Sequence, residues 1–545
     1  MQSQVNGKQK ISTFGAKLII MRKYALLYLI AIVLATNAFA QDDFTIGHFQ
    51  NLSDNDIYFK GINTAIRPAT GVENEIYDSL IFPKNDKVEK NWFVRKLFHE
   101  HLFIIGNEKY KVYFDPIFDF RYNRLNDLSD PANPTAVNGY TNTRGAIVNV
   151  KLSEYVYLNT SIYENQAVLP AYMEEVYRIK GNIPGYARVK KLNGYSEFDY
   201  ANAYGNVSFR PIKCLNFTIG YDRLFIGDGM HSMILSDYAA PMPYIKTSVK
   251  FGKWEYVNLV TRMMQYSGID TNVETATKVS KVATYNMMIY NPQNGWQFTF
   301  FEQSVIDHKN KTFWGGLAQG VPVARILYIF DSNHSNNSKF GANISFENKK
   351  IGIFYSQLSI SSMRRATMLD KYNWNWNISS SIDLQIGYKN HNLFNIKNLN
   401  ILAEFNISQQ WLSKSNSMGI ANPELNIRES QRYMLNTNYG QSLTIPQNQD
   451  TYLFSAMLSY QIKCFKVLTS YNITTNNGIL ADPSIYYYPE YYTLPQDRID
   501  FQFIYEMNPV NRMQWFAGIS MYNLGNKPFD YYFSIGFRTA LRNNY

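Results

Sequence analysis

From residue 109 onward, short segments of alternating apolar and polar residues pair across tight turns, and long polar connections separate one pair from the next. A closed antiparallel barrel in a membrane needs that spacing, with small turns at one rim and large loops at the other. The C-terminal segment shows the period most cleanly. Phe529, Tyr531, Phe533, Ile535, Phe537, Thr539 and Leu541 fall on one face; Tyr532, Ser534, Gly536, Arg538, Ala540 and Arg542 fall on the other. An unbroken apolar face opposite one that bears Arg, Ser and Gly suits lipid outside and water inside.

Eighteen segments fit the pattern. They are 109–121, 143–151, 154–163, 197–209, 214–222, 243–251, 254–262, 282–290 and 296–303 in the first half. The second half holds 338–347, 351–359, 380–388, 399–409, 451–462, 466–474, 498–506, 512–523 and 529–541. Parity checks the count. With a periplasmic N-terminus, turns after even segments lie on the inner side, and these are short: Gly252-Lys253, Lys349-Lys350, Lys463-Cys464-Phe465 and Asn508-Pro509-Val510-Asn511. Connections after odd segments are mostly long, namely 164–196, 223–242, 263–281, 304–337, 410–450 and 475–497, with 524–528 the short exception. The expected fold is therefore all-β, a transmembrane antiparallel β-barrel of eighteen strands spanning 106–545. A soluble β-sandwich or a large propeller explains neither the alternation of connection lengths nor the aromatic last strand.

Composition agrees. Aromatics make up 16% of the chain, with 43 Tyr and 35 Phe, an excess that interfacial girdles consume. No apolar run after the leader is long enough for a helical span. Residues 1–40 read as a signal peptide: Arg22 and Lys23 precede an apolar run, and Ala38-Phe39-Ala40 supplies a cleavage site before Gln41. Met21 is an alternative start, which would make 1–20 a mis-assigned extension. This leader carries five Lys/Arg and no acids, so the formal charge of +10 falls to +5 without it. That surplus is too small to argue for nucleic acid. Residues 41–105 read as a periplasmic N-terminal segment. In it Val94, Leu97, Phe98, His101, Leu102 and Ile105 recur at helical spacing and predict a short amphipathic helix against the barrel base.

Few residues invite chemistry. His99-Glu100-His101 places its imidazoles two apart, on nearly opposite sides of a helix, so they cannot chelate one ion. The segment from Phe225 to Tyr244 gathers Asp228, His231, Ser236 and Asp237, residue types that fit either a membrane hydrolase or a folded outer loop bent inward. Gly227-Asp228-Gly229 is a turn signature, and triads are assembled from separated segments, so these four are expected as polar loop or lumen lining. Tyr486, Tyr487, Tyr488, Tyr491 and Tyr492 present either a glycan-facing aromatic surface or an upper aromatic belt. Cys214 and Cys464 are expected as unpaired thiols on distant strands. Neither catalytic residues nor a metal or cofactor is expected.

Several segments together resemble one family. Lys96-Leu97-Phe98-His99-Glu100-His101 followed by Tyr113-Phe114-Asp115-Pro116-Ile117, then Asn142-Thr143-Arg144-Gly145, Ser161-Ile162-Tyr163-Glu164-Asn165-Gln166-Ala167, Phe198-Asp199-Tyr200-Ala201 and Phe225-Ile226-Gly227-Asp228-Gly229 are similar to the gliding-motility RemB family of Bacteroidota. Leu235-Ser236-Asp237 completes the set, and the family is related to the outer-membrane capsule-assembly protein Wzi. The resemblance covers roughly 92–260. It implies a non-enzymatic outer-membrane barrel associated with surface motility or with holding exopolysaccharide through its outer loops. Its implied partners are outer-membrane lipid, surface polysaccharide and motility machinery. The family usually carries an aromatic residue and an Arg after Gly-Asp-Gly, where this chain has Met230 and His231. A diffusion porin for small solutes is the alternative function.

Overall fold

The computed structural model describes residues 65–68, 91–107, 109–127, 135–170, 173–174, 177, 182–192, 197–267, 277–307, 337–348, 350–361, 364–365, 378–411, 437–439, 441–444, 451–476, 497–523 and 529–539. The signal-peptide reading and the tyrosines at 486–492 lie outside the described residues.

Eighteen antiparallel strands close into a barrel. They are β1 (Lys111–Asp127), β2 (Thr135–Lys151), β3 (Val156–Val168), β4 (Glu197–Ile212), β5 (Leu215–Asp222), β6 (Met242–Phe251), β7 (Trp254–Ser267), β8 (Thr277–Tyr290) and β9 (Trp296–Asp307). The second half comprises β10 (Asn337–Asn348), β11 (Gly352–Ser361), β12 (Ile378–Asn390), β13 (Leu399–Trp411), β14 (Thr451–Ile462), β15 (Phe465–Asn476), β16 (Asp497–Asn508), β17 (Met513–Tyr522) and β18 (Asp530–Arg538). Strands pair with their chain neighbours, and β18 closes onto β1 from Phe533 opposite Arg124 to Arg538 opposite Asp119. Each expected segment overlaps one strand. The connections after even strands are the short ones, and the tightest use left-handed backbone, at Gly252 (φ 63°) and at Lys463 (φ 52°).

The clearest departure is at the outer rim. β1 and β2 each run for 17 residues and leave only 128–134 between them, where a long loop was expected after Arg121. Their upper halves are polar, Arg121-Tyr122-Asn123-Arg124 against Asn138-Gly139-Tyr140-Thr141, so the apolar alternation ends at the lipid boundary. Ladder hydrogen bonds continue past it because they need no apolar side chain. At the other end, Thr539 is buried instead of facing outward. Its hydroxyl accepts from Phe118 N at 2.9 Å, satisfying a donor beyond the last ladder pair of β18.

The outer surface is largely apolar. Phe120, Ile162, Ile219, Phe300, Phe354, Ile386, Phe405, Phe501, Phe503 and Ile535 all stand exposed on it. A ring of that extent in water would be untenable, whereas lipid tails solvate it. Beside the short turns, aromatic pairs form a lower girdle: Trp254 with Tyr290 at 4.5 Å, Trp296 with Phe346 at 4.5 Å, Phe465 with Tyr505 at 5.1 Å and Trp515 with Phe537 at 5.0 Å. Cys214 and Cys464 sit exposed as free thiols in two of those turns.

Two pieces of the N-terminal segment are described. The helix α1 (Trp92–Phe98) starts where Asn91 Oδ1 accepts from Phe93 N at 2.9 Å. It is held to the β16–β17 turn by Asn508 Nδ2, which donates to the carbonyls of Lys96 (3.2 Å) and Glu100 (3.0 Å). The helix is shorter than its apolar spacing predicted, because Asp115 of β1 captures Leu102 N at 2.8 Å and Phe103–Gly106 becomes a strand. That strand pairs with the lower end of β1, below the point where β18 stops. The second piece, 65–68, lies inside the barrel: Ile66 and Arg67 pair with Ile226 and Phe225, and Lys246 Nζ on the inner face of β6 donates to Pro68 O at 2.5 Å.

The interior is divided. On β6–β9 the inner face carries Tyr244, Val257, Leu259, Met263, Tyr285, Met287, Ile289 and Phe301, all buried in one cluster with Ile66, Leu224, Ile226, Ile234 and Leu235. Water was expected there, but the connection between β5 and β6 turns inward and covers these side chains. On β15–β18 the inner face stays wetter, with Lys466, Ser470, Asn472, Arg498, Gln502, Gln514, Ser534 and Arg538 half-buried.

Candidate functional site

The site is the inward connection 223–241 and the wall that receives it. The chain leaves β5 at Asp222, and Phe225–Ile226 adds as a short strand to Ile66–Arg67, with Gly227 N donating to Ala65 O at 2.7 Å. Ile226 N also donates to Leu235 O at 2.8 Å, so the two arms of the connection are tied into a narrow loop. Ser232 holds the loop from within: its Oγ donates to Ile226 O at 2.5 Å and accepts from Ile234 N (3.0 Å) and Leu235 N (3.1 Å). A serine used this way closes a local turn.

The tip crosses the lumen and docks on β10–β13. Glu404, fully buried on β13, accepts from Met230 N at 2.8 Å, His231 N at 3.1 Å, Tyr355 OH at 2.9 Å and Asn406 Nδ2 at 2.8 Å. His231 Nδ1 lies 2.9 Å from Glu404 Oε1, giving the carboxylate a fifth partner. Around it, Gln357 Oε1 accepts from Met233 N (2.8 Å), and Gln357 Nε2 donates to Ile226 O (3.0 Å). Gln385 Nε2 donates to His231 O at 2.8 Å, and Lys389 Nζ donates to Asp228 O at 2.8 Å. The side chain of Asp228 accepts from Asn343 Nδ2 at 2.8 Å. Buried polar groups are favoured when paired, and this set pairs most of its groups across four strands, with Asn343 Oδ1 and Gln385 Oε1 left without a partner.

Gly229 is what lets the tip come so close. A Cβ there would fall 2.0 Å from Glu404 Oε2 and 2.8 Å from Tyr355 Cε2. Gly387 makes the facing gap, since a Cβ on it would fall 2.1 Å from Tyr355 Cζ.

Further connections cap the same loop. Asn438 Oδ1 accepts from Met264 N at 2.9 Å while its Nδ2 donates to Ala240 O at 2.8 Å, and Ser236 N donates to Leu443 O at 2.6 Å. Gln441 Nε2 donates to the carbonyls of Ile183 and Tyr186, tying in the 182–192 stretch. That stretch packs Ile183 and Tyr186 into a second cluster with Phe198, Tyr200, Tyr204, Tyr522 and Tyr532.

The four sequence-selected polar residues are thus brought to the lumen but not to one point. Asp228 and His231 sit at the docked tip and contact Asn343 and Glu404. Ser236 and Asp237 lie on the return arm, where Ser236 Oγ accepts from Tyr238 N at 3.3 Å. Nearby, burial pushes the Tyr238 phenol up. Ser232, the buried hydroxyl nearest His231 in the chain, is committed to backbone groups and to Gln357 Oε1 at 3.4 Å. No group of His, Cys, Asp and Glu among the described residues is arranged to hold a metal ion. Below the barrel, His101 Nδ1 lies 2.5 Å from Asp115 Oδ2 and its ring packs 4.5 Å from Tyr113, a structural contact at the base. Sequence reasoning missed Glu404, Gln357, Gln385, Lys389 and Asn343. Strand alternation places each of them on an inner face, but nothing local says what each one meets.

No protein-family model matches the chain, and no curated protein matches it. Among solved structures it is similar to Wzi, an outer membrane protein involved in group 1 capsule assembly in Escherichia coli and a carbohydrate-binding β-barrel. Identity is 11%, coverage 93% of this chain and 99% of Wzi, and the TM-score 0.49. It is also similar to OccAB3 of Acinetobacter baumannii (12% identity, 80% and 99% coverage, TM-score 0.40) and to OccK9 of Pseudomonas aeruginosa (7%, 79% and 98%, TM-score 0.41). Likeness at that level adds nothing to the strand pairing described above.

Proposed function

We propose that this chain is a non-enzymatic outer-membrane barrel that acts at the cell surface through its outer connections and does not pass solutes through its lumen. The observation that carries this reading is the docked loop. A pore would leave its interior to water, whereas here the 223–241 connection crosses the lumen and is fastened to β10–β13 by hydrogen bonds from both its backbone and its side chains. The apolar exterior and aromatic girdle support a membrane address, and the export leader read from the sequence supports the outer membrane. His231, Ser232 and Asp228 are spent on holding the loop in place, which supports a role without turnover.

The finer reading is attachment of surface exopolysaccharide in the setting of gliding motility. It rests on the motif resemblance over 92–260, and deletion of the gene scored for surface spreading and capsule staining tests it. The second reading, a diffusion porin, draws on the wet inner face of β15–β18. Planar-bilayer recording separates the two: the purified protein should give no steady conductance, and regular open-channel steps would overturn the closed-barrel reading.

A further inference from the structure

The outer wall carries charge in one sector. Arg144 on β2 and Glu164 on β3 stand directly opposite one another in the ladder, at outward positions that alternate with the buried Thr143, Tyr163 and Asn165. The guanidinium lies 3.5 Å from the carboxylate, and the two side chains are still 56% and 50% exposed. Their depth follows from what stands above them. Tyr140 is four residues nearer the outer rim on β2 and faces Tyr122 of β1 across the ladder. Tyr122 OH donates to Asn138 Oδ1 at 2.6 Å and Tyr140 OH donates to Glu197, both on the side toward the outer rim, so the two rings form an aromatic belt with wet tips. Four residues of a tilted strand descend about 10 Å, and the apolar band is about 25 Å tall. Arg144 and Glu164 therefore face hydrocarbon.

Charge on a lipid-facing wall is costly in proportion to its depth, and an ion pair left half exposed offsets little of that cost. The ground around the pair is flat. Ala146 lies two residues below Arg144, and Ala201 and Ala203 occupy the outward positions of β4 opposite Glu164 and Ile162. Small outward residues let a second wall approach closely. The pair carries no net charge, so it does not match the phosphates of a lipid headgroup. It does match itself. Because the two residues sit side by side, a two-fold axis along the membrane normal between β2 and β3 sets Arg144 of each copy against Glu164 of the other.

We propose that two copies of this chain associate through the β2–β4 wall, each covering its Arg144 with the other's Glu164 and so removing both charges from lipid. The contact lies outside the barrel and is independent of how the lumen is closed.

Förster transfer between copies in phospholipid vesicles tests it, with donor and acceptor dyes on the exposed thiols Cys214 and Cys464 of the full chain. Transfer should fall as added lipid dilutes the protein, which gives a dissociation constant. Arg144→Glu and Glu164→Arg each set like charges against one another and should each weaken association roughly tenfold or more. Mixing the two variants restores both opposite-charge contacts, so the mixture should associate about as tightly as the unaltered chain. A chain carrying both reversals should do the same. That rescue separates a lost contact from a lost fold, and heat-dependent gel migration shows that each variant is a closed barrel. Transfer no greater than random proximity in the unaltered chain, association indifferent to either reversal, or a mixture that fails to recover would overturn the proposal. So would a chain that stays monomeric and captures added lipopolysaccharide through Arg144.

Discussion

Glu404→Ala is the sharpest test of how the lumen is closed. The carboxylate accepts from two backbone N–H groups of the docked tip, from Tyr355 OH and from Asn406 Nδ2, and it contacts the His231 imidazole. Alanine removes all five interactions and leaves the donors buried beside a cavity. A hydrogen bond to a charged group contributes about 1.5–3 kcal/mol, but bonds sharing one acceptor do not add. Removing one member of a buried, charge-bearing cluster costs about 3–5 kcal/mol. Only the docked conformation suffers this, since an undocked tip hydrates its own donors. The docked population should therefore fall relative to the undocked one by a factor between about one hundred and a few thousand. Amide hydrogen exchange over 223–241 measures that ratio directly: exchange at Met230 and His231 should accelerate by the same factor while the wall strands keep their protection. Planar-bilayer recording of the variant should also show brief openings. If exchange in the tip were unchanged, Glu404 would be a bystander and the closure would lie elsewhere.

Two further outcomes follow from the same geometry. Gly229→Ala should release the tip without altering any polar group, because the new methyl falls 2.0 Å from Glu404 Oε2; overpacking of this kind costs about 1–3 kcal/mol, read as faster exchange over 223–241. Arginine substitution should separate the two faces of the wall: Ile535→Arg on the lipid side should lower unfolding free energy by about 2–4 kcal/mol if it lies near the midplane, and Thr474→Arg on the wet inner side by much less. Urea unfolding in lipid vesicles measures both, and equal losses would contradict the assignment of faces.

The barrel was legible in the sequence because lipid and lumen impose opposite demands on successive residues. β18 shows this: Tyr531, Phe533 and Ile535 are exposed to the outside, while Tyr532 and Gly536 are buried. Connection lengths added an independent count. What the sequence hid was the interior. Val257, Leu259, Met287 and Ile289 interrupt the expected polar inner face, and their reason is a loop that lies far away along the chain. Glu404 looks like any inward carboxylate until Met230 and His231 arrive opposite it. Asp228 and His231 could be picked out locally because Gly-Asp-Gly announces a turn, but the direction of that turn depends on Gly387 and Tyr355, which no local signal connects to it. The outer limits of β1 and β2 were hidden for a simpler reason, since hydrogen-bond ladders outlast the hydrophobic band.

The dry sector has a price during biogenesis. Before the 223–241 loop is seated, strands β7 and β8 carry apolar side chains on both of their faces, so neither alternation nor pairing alone can shield them from an aqueous compartment. That same stretch is the one a holding chaperone must cover first, and a variant that delays docking should show itself as material lost to aggregation in transit before any defect appears in the finished wall.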